Sequence, residues 1–229
     1  MQWLSRIALA ISAVCVELVS AQLPTPTKPP GFTYGHGSAD AGVQLEAYID
    51  LLCPFSKAAL PGLRDVAAHY APDEFRLRFV LFPLPYHQHA YAAAESAFTI
   101  TEALGEAQFP RWLETVYDNQ SKFGNKKTKN LSAVQVTDLF FQLAKDTFPD
   151  LTKASWEKGM TGYGGTDADG QARTWWKYTC TRGIAGTPTY TLNGVSLDAD
   201  SEWDLNAWKK VLDPLVAANK PKEANRKDN

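Results

Sequence analysis

Cys53 is the residue whose type and setting most directly imply chemistry. It opens Cys53-Pro54-Phe55-Ser56, after the strand-like run Val43–Asp50 and ahead of a helical stretch from Lys57 to Tyr70. A thiol at a strand-to-helix junction lies at the positive end of the helix dipole, beside unpaired backbone N–H groups. Both favour the thiolate, which is the nucleophilic form. The implied chemistry is thiol–disulfide exchange, in which the thiolate attacks a disulfide and becomes part of a mixed disulfide. A dithiol motif carries a second cysteine three residues on, whose attack releases the substrate. Ser56 stands there instead, so the motif keeps the nucleophile and lacks an internal resolver. The Ser56 hydroxyl can donate a hydrogen bond to the thiolate. The alternative is that Cys53 is an unreactive buried relic.

Other residues with chemical potential carry weaker patterns. Cys180 is either a distant resolver or a small apolar core residue. Its place on a helix eight residues before Pro188 argues against the Cα approach a disulfide needs, so the core reading is preferred. His87 and His89 are candidates for acid–base work near the thiol or for metal ligation. No third ligand follows a recognisable spacing, so no metal is expected and both read as capping or solvent-facing residues. His36 and His69 have nothing to distinguish them. Asp167-Ala168-Asp169-Gly170 lacks the terminal Glu of a calcium loop, which leaves Asp169 as a helix N-cap. Trp175, Trp176 and Tyr178 read as half core and half contact surface, with a peptide-binding face as the alternative.

The N-terminus reads as a secretory leader over residues 1–21. Arg6 is its positive end, Ile7–Val19 its apolar run, and Val19-Ser20-Ala21 its small-residue cleavage site. Cys15 would leave with it, so only Cys53 and Cys180 would remain, too few for a disulfide scaffold. The apolar run is short for a membrane span, and no membrane anchor is expected. A net charge of −2 gives no electrostatic case for nucleic acid. Asn119-Gln-Ser and Asn130-Leu-Ser are glycosylation sequons, and the C-terminus is not a KDEL-type retention signal.

These patterns must be positioned by a fold. Residues 22–38 read as a Pro-rich, poorly packed lead, and Val43–Asp50 as the first core strand. The helix after Cys53 contains Pro61, expected to kink it. Phe75–Phe82 alternates and then turns wholly apolar, as a strand entering a covered sheet does, giving a right-handed βαβ unit. Residues 86–181 read as helical: Ala90–Leu104, Phe109–Tyr117, a helix capped by Ser132 and Gln135, a Gly-rich loop Gly162–Gly170, and Gln171–Arg182. Thr189–Leu192 and Val195–Leu197 flank Asn193-Gly194, a strong hairpin signal. A final helix begins near Glu202 behind a Ser201/Asp204 cap, with Pro214 expected to bend or shorten it. The tail 220–229 is charged and reads as disordered.

This order, with Cys53 at the first strand–helix junction, resembles the thioredoxin fold, and the inserted helices resemble its DsbA-like branch. The fold expected is therefore α/β, a central mixed sheet with flanking helices, with core segments 39–85 and 182–219 around a helical insertion at 86–181. Pro61, eight residues after Cys53, matches the helix-kinking proline of thioredoxins. Gly186-Thr187-Pro188-Thr189 resembles the loop whose proline is cis and faces the active-site thiol. The resemblance implies that Thr187 pairs through its backbone with an extended client peptide. Leu52–Ser56 and Phe82–His87 are similar to the Leu-Cys-Pro-x-Ser and Phe-Pro-Leu-Pro-Tyr-His segments of a eukaryotic group of secreted DsbA-like proteins. Thioredoxins bury an acid six residues before the nucleophile to handle the resolver's proton, but this chain has Ala47 there. Strand parity puts the neighbouring Glu46 and Asp50 on the opposite face.

The resemblance implies a secreted or secretory-pathway monothiol protein that reduces or isomerises disulfides, or retains clients. Cys53 and Ser56 would be the reactive pair, with Pro54, Phe55, Thr187 and Pro188 around the client. Partners are thiol- or disulfide-containing proteins or peptides, without nucleic acid or membrane, and the chain is expected to be a monomer. No cofactor is implied beyond glutathione as a co-substrate that resolves the adduct. The competing class is a non-catalytic peptide-binding module. A glutathione-dependent transferase or isomerase has less support, since some relatives of that kind use a serine where Cys53 stands.

Overall fold

The computed structural model describes residues 25–220, so the leader expected at 1–21, with Cys15, and the tail from 221 lie outside the described residues. A five-stranded mixed sheet has the order β1-β3-β2-β4-β5. Strand β2 (Val43–Ile49) pairs in parallel with β3 (Phe75–Leu81) across helix α1 (Pro54–His69), the βαβ unit expected from the pattern. Strand β4 (Thr189–Leu192) runs antiparallel to β2, and β5 (Val195–Leu197) antiparallel to β4. The sheet is covered on both faces, and Val43, Leu45, Ala47, Tyr48 and Ile49 are wholly buried. That burial explains why the central strands read as nearly continuous apolar runs.

One element departs from the sequence reading of the lead. Phe32–Tyr34 forms β1, antiparallel to β3, and buries Phe32 and Tyr34 with Thr33 half-exposed between them. Phe32 stacks on Phe109 at 4.3 Å and tilts against Trp175 at 4.7 Å, so the supposedly loose lead ties the sheet to the inserted helices. Three residues are too few for alternation to stand out from a Pro-rich neighbourhood.

The insertion comprises α2 (Ala90–Leu104), α3 (Phe109–Asp118), the short α4 (Asn125–Thr128), α5 (Ala133–Thr147), α6 (Lys153–Gly159) and α7 (Asp167–Thr181). Every residue of α2 from Ala93 to Ile100 is buried, as befits a helix surrounded by others. Its alanines permit that crowding. The Ser132/Gln135 capping box is present, whereas α7 starts earlier than expected. Thr166, not Asp169, is its N-cap, because the Thr166 hydroxyl accepts from the Asp169 N–H and leaves the Asp169 carboxylate free for side-chain partners.

Asn193 and Gly194 both have positive φ, 49° and 82°, which is what a two-residue turn of this hand requires. Helix α8 (Leu205–Asn219) is capped by Asp204 alone, starts later than expected, and continues through Pro214. Helix α1 likewise continues through Pro61. Gly62 is where α1 meets the approach to α8: a Cβ there would lie 2.0 Å from the Trp203 carbonyl oxygen. Gly62→Ala is therefore expected to destabilise by about 1–3 kcal/mol, the range for overpacking against an unyielding group. Gly170→Ala, exposed in α7 with nothing near its Cβ, is expected to stabilise by about 0.5–1 kcal/mol. Urea unfolding of the two variants checks both signs.

Candidate active site around Cys53

A four-residue turn, Asp50-Leu51-Leu52-Cys53, joins β2 to α1, and all four residues are buried. The Cys53 N–H closes it on the Asp50 carbonyl at 3.1 Å. Cys53 is the N-cap of α1, with φ −78° and ψ 122°, and Pro54 follows where a missing N–H costs nothing. The Cys53 sulfur makes no capping bond, so it is not spent on the helix end. It donates instead to the Thr187 carbonyl oxygen at 3.3 Å, a contact available to the thiol and not to the thiolate. The Thr187–Pro188 peptide bond is cis. The sequence-named thiol and loop, 134 residues apart, are thus in contact.

Cys53 is 2% exposed, packed against Phe82 and Leu84 with Ile184 over them. Pro54 and Phe55 face outward, Phe55 with 64% of its surface exposed. Ser56 is buried, and the partner of its hydroxyl is the Asp50 N–H at 3.4 Å rather than the sulfur. The expected Ser56–thiolate bond is therefore not the arrangement of this state.

A buried acid does lie at this turn, although not at position 47. Ala47 is wholly buried and lacks a carboxyl, as its sequence shows. Asp50 lies past the end of β2, where strand parity no longer governs, and its side chain turns inward. Oδ1 accepts from the Leu52 N–H at 2.8 Å. Oδ2 accepts from the Leu84 N–H at 3.2 Å and meets His87 Nδ1 at 2.5 Å. Burial pushes the Asp50 carboxyl up, and the bonds from His87, Leu52 and Leu84 pull it back. His87 is thus a partner of a buried acid at the active turn, not a solvent-facing residue. His89 points elsewhere, with Nε2 2.8 Å from the Thr128 hydroxyl, and burial lowers its basicity. The two histidines share no ligand position. Glu46, on the face opposite Ala47, is a structural acid that binds Arg78, Thr191 and Tyr48.

Two residues from the insertion complete the site and were not singled out by sequence. Gln120 donates from Nε2 to the carbonyls of Leu51 at 3.1 Å and Cys53 at 3.0 Å, clamping the turn. Tyr117 is buried beside Ser56, and its hydroxyl has no hydrogen-bond partner among the described residues. Burial chiefly, then the charges of Asp50 and Cys53, push that hydroxyl well above the usual tyrosine range. Neither has a sequence signature, since each acts through one contact made by long-range packing.

Cys180 is exposed on α7 and is not bonded to Cys53, so the core reading fails: Thr179, its neighbour, takes the inward position. The aromatic cluster divides. Trp175 packs on Phe32 and Phe98, whereas Trp176 is 41% exposed and stacks on Phe82. Trp176, Phe82, Pro83, Leu84 and Pro85 wall an apolar groove of about 610 Å³ next to Cys53. Of the two sequons, Asn130 is exposed, while the Asn119 amide is half-buried and donates to the Thr115 carbonyl.

A family model described as Thioredoxin matches residues 30–214. Among solved structures, a putative protein-disulfide isomerase from Pseudomonas syringae superposes with a TM-score of 0.63 at 18% identity, over 80% of this chain and 97% of that one. DsbA2 from Pseudomonas aeruginosa gives 0.61 at 22% identity, covering 86% and 100%. Wolbachia pipientis α-DsbA1 gives 0.61 at 15%, covering 88% and 96%. At these identities the likeness is one of fold. Among curated sequences, the Na(+)/H(+) antiporter NhaA of Herminiimonas arsenicoxydans is 31% identical over 104 residues, 44% of this chain. The aligned stretch spans only 16% of that relative's length. No helix among the described residues is long and apolar enough to cross a membrane.

Asp50→Asn leaves one acceptor for two backbone donors and removes the carboxylate from His87, for an expected loss of about 1–3 kcal/mol in urea unfolding. His87→Ala should behave differently, because it removes what pulls the Asp50 carboxyl down. A carboxyl raised in the folded state contributes stability below its unfolded value that is lost as pH rises through the folded one. The His87→Ala deficit is therefore expected to grow as pH rises above the ordinary carboxylate value of about 4. The growth should vanish when Asp50→Asn is added, and a flat deficit would show that the pair is not coupled.

Proposed function

Since the chain belongs to the thioredoxin family, we propose that it works as a DsbA-like monothiol in thiol–disulfide exchange, with Cys53 as nucleophile. The observation that carries the reading is the Cys53 sulfur set 3.3 Å from the Thr187 carbonyl, ahead of a cis proline and beside an apolar groove. In this reading the Thr187–Pro188 loop holds a client's extended backbone, and Pro54 and Phe55 form the outer rim. The Cys53 thiolate attacks one sulfur of a client disulfide, and the other sulfur leaves with the electron pair and takes up a proton. The product is a Cys53–client mixed disulfide. With Ser56 in the resolver position, release needs a second thiolate from outside: another cysteine of the client, which completes an isomerisation, or a small thiol such as glutathione. Either attack re-forms the Cys53 thiolate as leaving group. Net oxidation of a client dithiol is not expected, because residues 53 and 56 store no disulfide. The Asp50–His87 pair and Gln120 act as positioning residues that fix the turn from which the sulfur projects.

The reading extends to a secreted address, supported by the leader-like residues 1–21 and by the likeness of Leu52–Ser56 and Phe82–His87 to a secreted eukaryotic monothiol group. Glycosylation fits Asn130 better than Asn119. A second reading, a binding module that keeps the groove without the chemistry, is favoured by one fact: Cys53 is 2% exposed.

Intact-mass measurement after incubation with oxidised glutathione separates the two. Exposed Cys180 must first be removed, so the parent is Cys180→Ala. The monothiol reading expects one adduct on native protein, absent in Cys53→Ser and reversed by reduced glutathione. Labelling of Cys53 only after unfolding would establish the module instead.

A further inference from the structure

Glu95 lies on α2, is 8% exposed, and has no side-chain hydrogen bond or ion pair among the described residues. The residue is largely buried, but its carboxylate oxygens are not sealed, so their partner must come from the space they face. The carboxyl opens onto a chamber of about 250 Å³, bounded by α2, α5, α7 and the Gly-rich loop. The chamber's other acid, Asp169, is fully committed, to Arg173 Nε at 2.9 Å, the Tyr91 hydroxyl at 2.8 Å and the Gly165 N–H at 3.0 Å. Arg173 in turn spends its Nε on Asp169. His89, on the chamber wall, is bonded to Thr128, and α5 contributes no titratable group. Glu95 therefore supplies one uncompensated negative charge when ionised. Burial, then the Asp169 charge, raise it to about 7, with Arg173 opposing.

The chamber is not isolated. Gln88, Tyr91 and Arg173 line both it and the apolar groove that starts at Phe82 and Leu84 beside Cys53. We propose that this chamber is a subsite for a cationic side chain, lysine or arginine, of a peptide lying in the groove. The proposal deepens the Cys53 reading and rests on it for the identity of the peptide. The occupant's apolar stem packs along Tyr91, and its charged head meets Glu95, replacing water with a charge-assisted hydrogen bond. Exposed Tyr163, at the chamber edge on the Gly-rich loop, offers a ring face to the same cation. Binding selects the ionised carboxylate, so it strengthens as pH rises and releases a proton.

Two measurements test it on the full Cys180→Ala protein. In the first, peptides with a lysine at each of six successive positions, their single cysteine supplied as its mixed disulfide with glutathione, exchange with the Cys53 thiolate and release glutathione, against matched norleucine peptides. At one position lysine should raise the adduct equilibrium about tenfold, the effect of a single charge-assisted hydrogen bond. The preference should increase from pH 6 to 8 and disappear in Glu95→Gln. Equal adducts for lysine and norleucine at every position would overturn the subsite while leaving the thiol chemistry standing. In the second, carbon NMR follows Glu95 titration with n-butylammonium, which needs no thiol. A lowered midpoint supports the site even if no peptide reacts, and an unmoved midpoint at saturating amine refutes it.

Discussion

A buried turn must find partners for its backbone groups, and the Asp50–Cys53 turn is buried from end to end. Each unmet donor or acceptor there would cost about 1–3 kcal/mol, so the turn exists only because other parts of the chain come to it. The Asp50 carboxylate satisfies the Leu52 and Leu84 N–H groups, and the Gln120 amide satisfies the Leu51 and Cys53 carbonyls. One partner is local, one comes from the end of β3, and one from the inserted helices. The placement of the thiol is thus a property of the whole fold. This gives the insertion a structural task at the active centre besides walling the groove.

The same requirement explains why an acid can be buried here at all. Burial raises the Asp50 carboxyl more than its three hydrogen bonds lower it, so the geometry works against the charge while using the oxygens. Glu46 is the contrasting case. It is equally hidden but meets Arg78 closely and Arg182 at 3.6 Å, so its charge is compensated within the sheet. Two acids four residues apart in sequence therefore differ in kind. One is held by cations and braces strands, and the other is held by amides and an imidazole beside the thiol. Glu95 is a third kind, buried with no hydrogen bond or ion pair at its carboxylate among the described residues, so burial and the Asp169 charge raise it while only the more distant Arg173 charge opposes.

What the sequence made legible follows the range of the forces involved. The βαβ unit, the Asn193-Gly194 hairpin and the Ser132/Gln135 cap depend on neighbours within a few residues, and each formed where expected. The Cys53–Thr187 contact was legible only through resemblance to a known fold, since nothing local links the two segments. Asp50 and His87 were misjudged for a specific reason. Alternation along a strand stops meaning anything once the chain turns, and Asp50 is the first residue past β2. Tyr117 and Gln120 left no trace, because an isolated side chain reaching across the fold has no period or motif. Cys180 failed in the opposite direction. Cysteine is usually buried, but on a helix whose Thr179 faces inward, the next residue is rotated about 100° away.

The residues over the sulfur decide how exchange chemistry can reach it. Phe82 and Leu84 extend from the end of β3, and the Leu84 N–H is bonded to Asp50, so moving that wall would break the turn itself. Ile184 belongs to the connection between α7 and β4, where Gly183, with φ 73°, and Gly186 have open space where a Cβ would stand. Among the described residues this wall meets the turn through the Cys53–Thr187 hydrogen bond alone, so moving it leaves the turn's own bonds in place. A partner approaching from the Ile184 side arrives alongside Thr187, and the thiol's hydrogen bond to the Thr187 carbonyl is released when the proton leaves. In the proposed exchange, opening the sulfur and freeing the loop carbonyl for a client's backbone are then a single event. A burial of 98% is compatible with the proposed exchange on those terms, with opening of the loop preceding attack.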